Sequence, residues 1–266
     1  MRLGIEAIGL LGPGLPDWPQ GLLALQSPDQ WRWADAVVPA PTGLPGAERR
    51  RVGQAVKVAM AAAHQACEAS EFDASTLPSV FSSSGGDGQN CHILCEALTE
   101  QAPQLSPTRF TNSVHNAPSG YWGIASGCQA ASTSLCAYDA SFSAGLIEAG
   151  LFANSEQTPV LLVAYDVPYP SPLSAVREIS TPFAVALVLT PEASGSELSS
   201  AVTLTFNEEP PGAESTMPGE AMEALRKGAP AARALPVLDA IANRRTGAIN
   251  LPGTGDSIVT ISLSFR

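Results

Sequence analysis

Two apolar runs constrain the fold of this sequence more than any other feature. They are PVLLVAYD at residues 159–166 and PFAVALVLTPE at residues 182–192, and turn-forming residues bound both of them. Runs of this length and composition indicate strands that are buried inside a sheet. With 266 residues and 45% hydrophobic content, the chain can enclose such a sheet in one large layered α/β domain.

Segments typical of strands and helices alternate along the rest of the sequence. We predict further strands in MRLGIEAIGLL, LPSVFSSS, AVTLTFNEE and DSIVTISLSF, a long helix in residues 49–70, a helix in QNCHILCEALTE and two short helices in residues 219–245. Residues 11–48 are rich in Pro, Trp and Gly, which predicts a loop. We predict a turn in EASGSELSS at 192–200 and a flexible linker in EEPPGAESTMPGE at 208–220.

The charge of the chain excludes two classes of partner. Lys and Arg total 14 against 25 Asp and Glu, a formal net charge of −11. Such an acidic chain has no general attraction to phosphate backbones or anionic lipid, so we expect neither nucleic acid nor a membrane surface as a partner. No apolar stretch is long enough to span a bilayer, and the first residues lack the features of a signal peptide. We therefore expect a cytoplasmic protein.

The five cysteines are Cys67, Cys91, Cys95, Cys128 and Cys136, an odd number that favours reduced thiols. Cys91 and Cys95 flank His92, but no second pair of ligands follows at the spacing that zinc sites use. We therefore predict no metal site and interpret both cysteines as buried packing residues. No sequence motif calls for a cofactor.

The segment GIASGCQAASTSLCAYDASF at residues 123–142 predicts a corner at which a short strand passes into a helix. Many α/β enzymes present a nucleophile at such a corner, because the helix N-terminus stabilises negative charge. In this sequence the corner residue is Asp139, whose carboxylate we expect to cap the helix. The function therefore depends on what chemistry the corner supports when an aspartate stands in place of a nucleophilic serine or cysteine.

The order of elements and several motifs resemble the N-terminal half of a β-ketoacyl synthase, a thiolase-like α/β fold with a mixed five-stranded sheet layered with helices. The asparagine motif matches Asn116–Gly120, the glycine turn matches Gly127–Ala131, and the nucleophile segment matches STSLCAYDAS. The likeness extends over about residues 1–190 of a single 1–266 domain, with C-terminal helices and a strand in residues 191–266.

The resemblance implies that the nucleophile position is lost. Without a gap, the alignment places Asp139 on the family's cysteine, while a short insertion would move that position to Gln129, Ser134 or Cys136. In a ketosynthase the second half of the fold supplies a pair of histidines. All three histidines of this sequence precede residue 116, so none matches that pair. Condensation needs a thiolate and donors for the enolate, and this chain is expected to lack both.

The resemblance is strongest to short ketosynthase-like chain-length factors of aryl polyene and xanthomonadin-type pigment biosynthesis. It implies a non-catalytic subunit that forms a heterodimer with a full-length β-ketoacyl-ACP synthase. This heterodimer would elongate a polyunsaturated chain that an acyl carrier protein holds. The segment before the asparagine would then reach the partner's acyl tunnel. The residues that we predict at this tunnel or interface are Phe110, Thr111, Val114, Asn116, Tyr121 and Trp122.

Two alternatives remain open at the level of sequence. The chain could be a free-standing thioesterase or acyltransferase that uses Cys128 or Cys136 as a nucleophile, although a reactive cysteine needs a helix N-terminus or a base to lower its pKa. It could also be a homodimeric scaffold without an acyl substrate. For Cys128 and Cys136, burial by ordinary core packing is the competing interpretation. For Tyr121 and Trp122, ordinary core packing competes with a tunnel role.

Overall fold

A computed structural model describes residues 1–191, 202–207 and 212–266. The predicted turn at 192–200 and the first residues of the predicted linker lie outside this part of the chain. The described strands form one mixed sheet in the order β3-β2-β4-β5-β1-β6-β8-β7. The strands are β1 (Arg2–Leu11), β2 (Ser79–Ser82), β3 (Ser132–Leu135), β4 (Val160–Asp166), β5 (Phe183–Pro191), β6 (Val202–Phe206), β7 (Gly247–Pro252) and β8 (Ile258–Phe265).

Ten α-helices of the described residues surround this sheet. They are α1 (Trp18–Gln26), α2 (Gly46–Arg49), α3 (Gln54–Glu68), α4 (Gly88–Leu98), α5 (Pro107–Thr111), α6 (Ala117–Ser126), α7 (Ser141–Glu156), α8 (Leu173–Val176), α9 (Glu220–Gly228) and α10 (Leu235–Ala242). Short 3-10 turns at Tyr138–Ala140 and Pro230–Ala234 precede α7 and α10. No helix in these residues is long and apolar enough to cross a membrane.

The sheet has eight strands, so the prediction of five is wrong. The first five strands of the chain occupy five adjacent positions, with β2 parallel to β3 and β4, and β5 antiparallel to β4 and β1. The other three strands extend the sheet because β6 pairs with the free edge of β1, for example Leu204 with Leu3. Sequence pattern predicted β6 and β8 as strands but could not show that they join the same sheet, and it missed β7.

The two apolar runs form the centre of the sheet, as predicted. Every residue of β4 is buried, because helices cover both faces of the strand. Leu162 packs on the side of α7, whereas Leu161 and Val163 pack on the side of α3. On the α3 side the contact with β1 is so close that a Cβ at Gly9 would lie 2.0 Å from the carbonyl oxygen of Ala62.

Residues 11–48 are not a continuous loop, because they contain α1 and α2. Asp17 precedes helix α1 and caps it, because its carboxylate accepts a hydrogen bond from the Gln20 N–H at 2.8 Å. A proline occupies the first turn of the helix. Both are ordinary start signals of a helix. The Pro- and Trp-rich composition of the segment obscured them.

Candidate functional site

The strand-to-helix corner lies at the carboxyl end of β3, where the chain passes through the turn Tyr138–Ala140 into α7. Because β2, β3 and β4 are parallel, their carboxyl ends meet at the same edge of the sheet. Tyr138 has a φ of 55°, a left-handed conformation that is strained for a bulky side chain. The corner is therefore a tight turn that holds Asp139 at the start of a helix.

Asp139 does not cap the helix, contrary to the expected role of a carboxylate at this position. The residue that immediately precedes α7 is Ala140, and no side chain caps the helix there. The Ser141 hydroxyl instead accepts a hydrogen bond from the Ala137 N–H at 3.1 Å and donates one to the Tyr138 carbonyl at 2.8 Å. The Asp139 carboxylate points to a different partner.

That partner is Arg177, which follows α8. Its guanidinium forms an ion pair with Asp139 Oδ1 at 2.9 Å and donates to Ser84 Oγ at 2.8 Å. The same group stacks on the Tyr138 ring, 3.4 Å from the ring centroid, in a cation–π contact. One arginine thus joins the end of β2 to the corner and fixes the strained turn.

Asp166 lies beneath this arrangement, at the carboxyl end of β4, and is fully buried. Its Oδ1 accepts hydrogen bonds from the Ser84 N–H at 2.9 Å and the Ser83 hydroxyl at 3.3 Å, and its Oδ2 accepts one from the Ala231 N–H at 2.8 Å. Burial raises the pKa of Asp166 to about 7, although these donors and the charge of Arg177 act in the opposite direction. The carboxyl group fastens the C-terminal turn at Pro230–Ala234 to the segment that follows β2.

This burial predicts a specific dependence of stability on pH. The unfolded chain ionises Asp166 near pH 4, whereas the folded chain keeps the proton until about pH 7. The raised pKa therefore contributes stability that is complete below about pH 4 and is lost as the pH rises to about 7. In urea unfolding, we expect the free energy of unfolding to fall more steeply over this range in the native chain than in Asp166→Asn.

The exposed Asp256 provides the matched control, and Asp256→Asn should leave the slope unchanged. Parallel pH curves for the native chain and Asp166→Asn would contradict the account of Asp166.

The C-terminal turn and the segment before it also carry charged side chains held in ion pairs. Arg226 is buried and pairs with Glu214 and Glu223, and Arg233 pairs with Glu214 at 3.4 Å. The pairing with Arg226 holds the pKa of Glu223 near 2. A segment that is distant in sequence therefore closes over the carboxyl ends of the strands.

The other candidates for the nucleophile position lie elsewhere. Cys128 and Gln129 precede β3, at the end of the strand opposite to Asp139, and the Cys128 thiol donates to the Leu77 carbonyl at 3.3 Å. Ser134 lies within β3, with its hydroxyl 3.2 Å from the Ser119 hydroxyl. Cys136 follows the strand directly and is exposed, so its expected burial is wrong, because β3 ends at Leu135.

Cys91 and Cys95 are likewise exposed, so the prediction that they pack in the core is wrong. Helix α4 turns Asn90 and Leu94 toward the protein, which places the two cysteines on the adjoining outer face. The described residues contain no group of three His, Cys, Asp or Glu side chains arranged to hold a metal ion.

The six residues predicted at the tunnel or interface divide into two groups. Phe110 is 64% and Val114 53% exposed, and Thr111 and Asn116 are also exposed. Tyr121 and Trp122 are buried on the inner side of α6. The Tyr121 hydroxyl donates to the side chain of Asn112 at 2.8 Å. The structure thus places the first four of these residues at the surface. It places Tyr121 and Trp122 in the core.

Strand β3 is the outermost strand of the sheet among the described residues. A groove of about 410 Å³ runs between this strand and α6. Its lining includes Ser79, Asn116, Ser119, Gly120, Trp122, Gly123, Ile124, Cys128, Ala130 and Ser132. An outer strand exposes backbone donors and acceptors to which another chain can bind.

Sequence reasoning missed Arg177, Ser84 and Asp166. Asp166 could have been found, because an acidic residue at the end of a buried apolar strand requires partners. Nothing in the sequence around Arg177 indicates that its side chain reaches Asp139, 38 residues away.

Comparison with protein families matches residues 24–250 to the model described as β-ketoacyl synthase, N-terminal domain. Comparison with curated proteins finds no match.

Solved structures with a similar fold come from ketosynthase complexes. One is the ketosynthase (ApeO) in complex with its chain length factor (ApeC) from Xenorhabdus doucetiae, with a TM-score of 0.73, 21% identity and coverage of 99% of both chains. Another is the ishigamide ketosynthase/chain length factor, with a TM-score of 0.67, 13% identity and coverage of 99% of both chains.

A third is AntDE:AntF, a type II PKS acyl-carrier protein in complex with its ketosynthase bound to the hexaketide. The match has a TM-score of 0.70 and 13% identity, and it covers 100% of this chain and 99% of that one. At these identities the three likenesses establish the thiolase-like fold.

Proposed function

The chain belongs to the family of β-ketoacyl synthase N-terminal domains, and we propose that it acts in this family as a non-catalytic chain-length factor. In this role it pairs with a full-length β-ketoacyl-ACP synthase and shapes the acyl tunnel of that enzyme, while an acyl carrier protein holds the growing chain. One observation carries the proposal: the Asp139 carboxylate is engaged by Arg177 at 2.9 Å, at the corner to which the sequence resemblance assigns the family's nucleophile.

The chemistry of the corner supports a silent subunit. Condensation requires a thiolate that holds the acyl chain as a thioester and donors that stabilise the enolate. A carboxylate in an ion pair supplies neither function. The histidines of residues 1–266 are His64, His92 and His115, all before the corner.

Exposed apolar side chains support a partner. Large apolar side chains are exposed on α5, between α5 and α6, on α6, at the corner and on α8, and these are Phe110, Val114, Ile124, Tyr138, Leu173 and Val176. Exposed apolar side chains and the open edge of an outer strand favour association with another chain. We assign the partner as a ketosynthase because structures with this fold include a ketosynthase in complex with its chain length factor and the ishigamide ketosynthase/chain length factor.

We further propose that residues 1–266 act as one thiolase-like domain and that the product is an aryl polyene or a related polyunsaturated chain. The domain proposal is supported by the pairing of β6 with β1, which joins the C-terminal strands to the rest of the sheet. The product proposal rests on the sequence motifs NSVHNAPSGYW and AYDASFSAGLIEA.

Complex formation tests the proposal. Co-expressed with its proposed ketosynthase partner, the chain should appear in native mass spectrometry as a one-to-one complex or a multiple of it. Alone, it should form no β-ketoacyl product from malonyl-loaded carrier protein and an acyl primer. A monomer that ignores the ketosynthase, or steady condensation by the isolated chain, would remove the proposal.

The variant Asp139→Asn tests whether Asp139 has only a structural role or takes part in the reaction. The variant should lose about 1 kcal/mol of stability, since the Asp139 side chain is partly exposed and its ion pair is partly screened. In thermal unfolding this corresponds to a shift of about 2 to 4 °C. Elongation by the complex should continue, with the exposed Asp256→Asn as control. A stable complex that stops elongating would show that Asp139 takes part in the reaction.

A second candidate is an acyl-transfer enzyme that uses a cysteine of this chain. One observation favours it, namely that Cys136 is exposed and lies just before the corner. Under this alternative, iodoacetamide should label Cys136 faster than the exposed Cys91 and Cys95 on α4, because a low pKa increases the reactivity of a thiol.

A further inference from the structure

A pocket of about 510 Å³ lies between α1 and the segment that follows this helix. Part of its wall is formed beyond the carboxyl end of β1, whereas the corner follows β3, four positions along the sheet. Its lining includes Gly14, Gln20, Leu23, Ala24, Trp31 and Arg32. Neither the sequence motifs nor the proposed role of the corner accounts for this pocket.

The indole N–H of Trp31 is a buried donor in the wall of the pocket. Trp31 is 7% exposed, and its Nε1 has no hydrogen-bond partner among the described residues. A Cβ at Gly14 would lie 2.8 Å from Nε1, so the N–H lies beside a glycine that also lines the pocket. Leaving a buried donor unpaired is costly, and a ligand that supplies an acceptor beside Gly14 removes that cost.

Arg32 adds a positive charge next to this donor. Its Nη1 donates to the Asp29 carbonyl at 2.6 Å and to the Trp31 carbonyl at 2.8 Å, so two backbone oxygens hold the guanidinium group. No acidic side chain of the described residues forms an ion pair with Arg32, and none lines the pocket. The guanidinium group is therefore available to pair with an anion.

Asp17, which caps α1 near the pocket, does not compete for that charge. One of its carboxylate oxygens accepts from the Gln20 N–H at 2.8 Å, and the other accepts from the Gln20 side-chain amide at 2.9 Å. Both oxygens are thus engaged at the start of the helix.

Apolar groups complete the lining. They are Leu23 and Ala24 on α1 and the indole ring of Trp31. Leu23 is 64% exposed, so its side chain gains burial when a ligand covers it. A guanidinium group and an N–H donor beside apolar side chains suit a carboxylate that is joined to an apolar chain.

We propose that this pocket binds the anion of a small carboxylic acid with a short apolar chain. The carboxylate accepts hydrogen bonds from the Arg32 guanidinium and the Trp31 indole N–H, and the apolar chain packs on Leu23 and Ala24. The site is separate from the corner, so the proposal does not depend on the chain-length role.

Calorimetric titration of the full chain with hexanoate, hexanamide and acetate tests the site. Hexanoate should bind at least about tenfold more tightly than hexanamide, because the amide lacks the charge that pairs with Arg32. Hexanoate should also bind at least about tenfold more tightly than acetate, because acetate lacks the chain that packs on Leu23 and Ala24. Added salt should weaken the binding.

Two variants remove the donors one at a time. Trp31→Phe keeps most of the ring but removes the N–H, and Arg32→Gln removes the charge; each should weaken hexanoate binding by about tenfold. The matched controls are Trp33→Phe and Arg49→Gln, which should bind hexanoate as the native chain does. Trp33 is exposed and its Nε1 already donates to Asp35 at 3.3 Å, and Arg49 is exposed on α2. Neither residue lines the pocket.

Three results would overturn the proposal: no binding of hexanoate, equal binding of hexanamide, or native affinity in Arg32→Gln. Circular dichroism of each variant shows whether its fold is native. If Trp31→Phe does not fold, Arg32→Gln decides the outcome, since Arg32 is exposed. Native affinity in a folded Trp31→Phe would likewise reject the buried N–H as part of the site.

Discussion

Trp122→Ala is expected to destabilise the chain by about 3 to 5 kcal/mol, the usual cost of truncating a large buried aromatic side chain. Trp122 is 2% exposed and packs with α3, where its ring lies 5.0 Å from that of His64 in an edge-to-face contact. Truncation would open a cavity between α6 and α3. Urea unfolding followed by circular dichroism measures the change.

Two further tryptophan variants make the result interpretable. Trp33 is 48% exposed, so Trp33→Ala should cost about 1 kcal/mol or less. Within the described residues, Trp122 Nε1 has no hydrogen-bond partner, so Trp122→Phe removes an unsatisfied donor while keeping most of the ring volume. This variant should recover most of the lost stability. A cost of Trp122→Ala below that of Trp33→Ala would show that α6 is not packed as described.

Phe110→Ala is expected to lengthen the products of the reconstituted pair without destabilising this chain. Phe110 is 64% exposed on α5, so the loss of its ring should change the free energy of unfolding by about 0.5 kcal/mol or less. If the ring closes the partner's tunnel, its removal leaves room for at least one more two-carbon unit. Each CH₂ that is newly buried contributes about 0.8 kcal/mol, enough to change where elongation stops.

Leu23→Ala is the matched control, because Leu23 is equally exposed but lies on α1. Product lengths are read by mass spectrometry of the carrier-bound chains, alongside the thermal stability of the complex. An unchanged product profile in a stable complex would contradict the tunnel role of Phe110. A loss of the complex would instead assign Phe110 to the interface alone.

The elements that depend on local pattern were predictable from sequence. Strands β4 and β5 are continuous apolar runs because both faces are covered, and the Ala-rich composition of α3 suits a helix that approaches β1 at Gly9. The segment QNCHILCEALTE was predicted as a helix and forms most of α4, which Asp87 caps. In each case the residues that decide the structure lie within one segment.

The features that sequence did not predict depend on contacts between distant segments. The pairing of β6 with β1 decides the size of the sheet, and neither strand specifies its neighbour. The corner was predicted, but its ion pair was not, because Arg177 reaches Asp139 from a Pro-rich segment after β4. The exposure of Cys91 and Cys95 depends on which face α4 turns to the protein, and a short helix with weak periodicity does not reveal this.

The location of the acyl group tests the central claim most directly. The reconstituted pair is incubated with a primer-loaded carrier protein, and the intact mass of each subunit is then measured under denaturing conditions that preserve thioesters. The account predicts that the acyl mass increase appears on the ketosynthase, and that this chain keeps its unmodified mass in the native sequence and in Cys136→Ser. An acyl adduct on this chain that disappears in Cys136→Ser would contradict the account and establish the chain as an acyl-transfer enzyme.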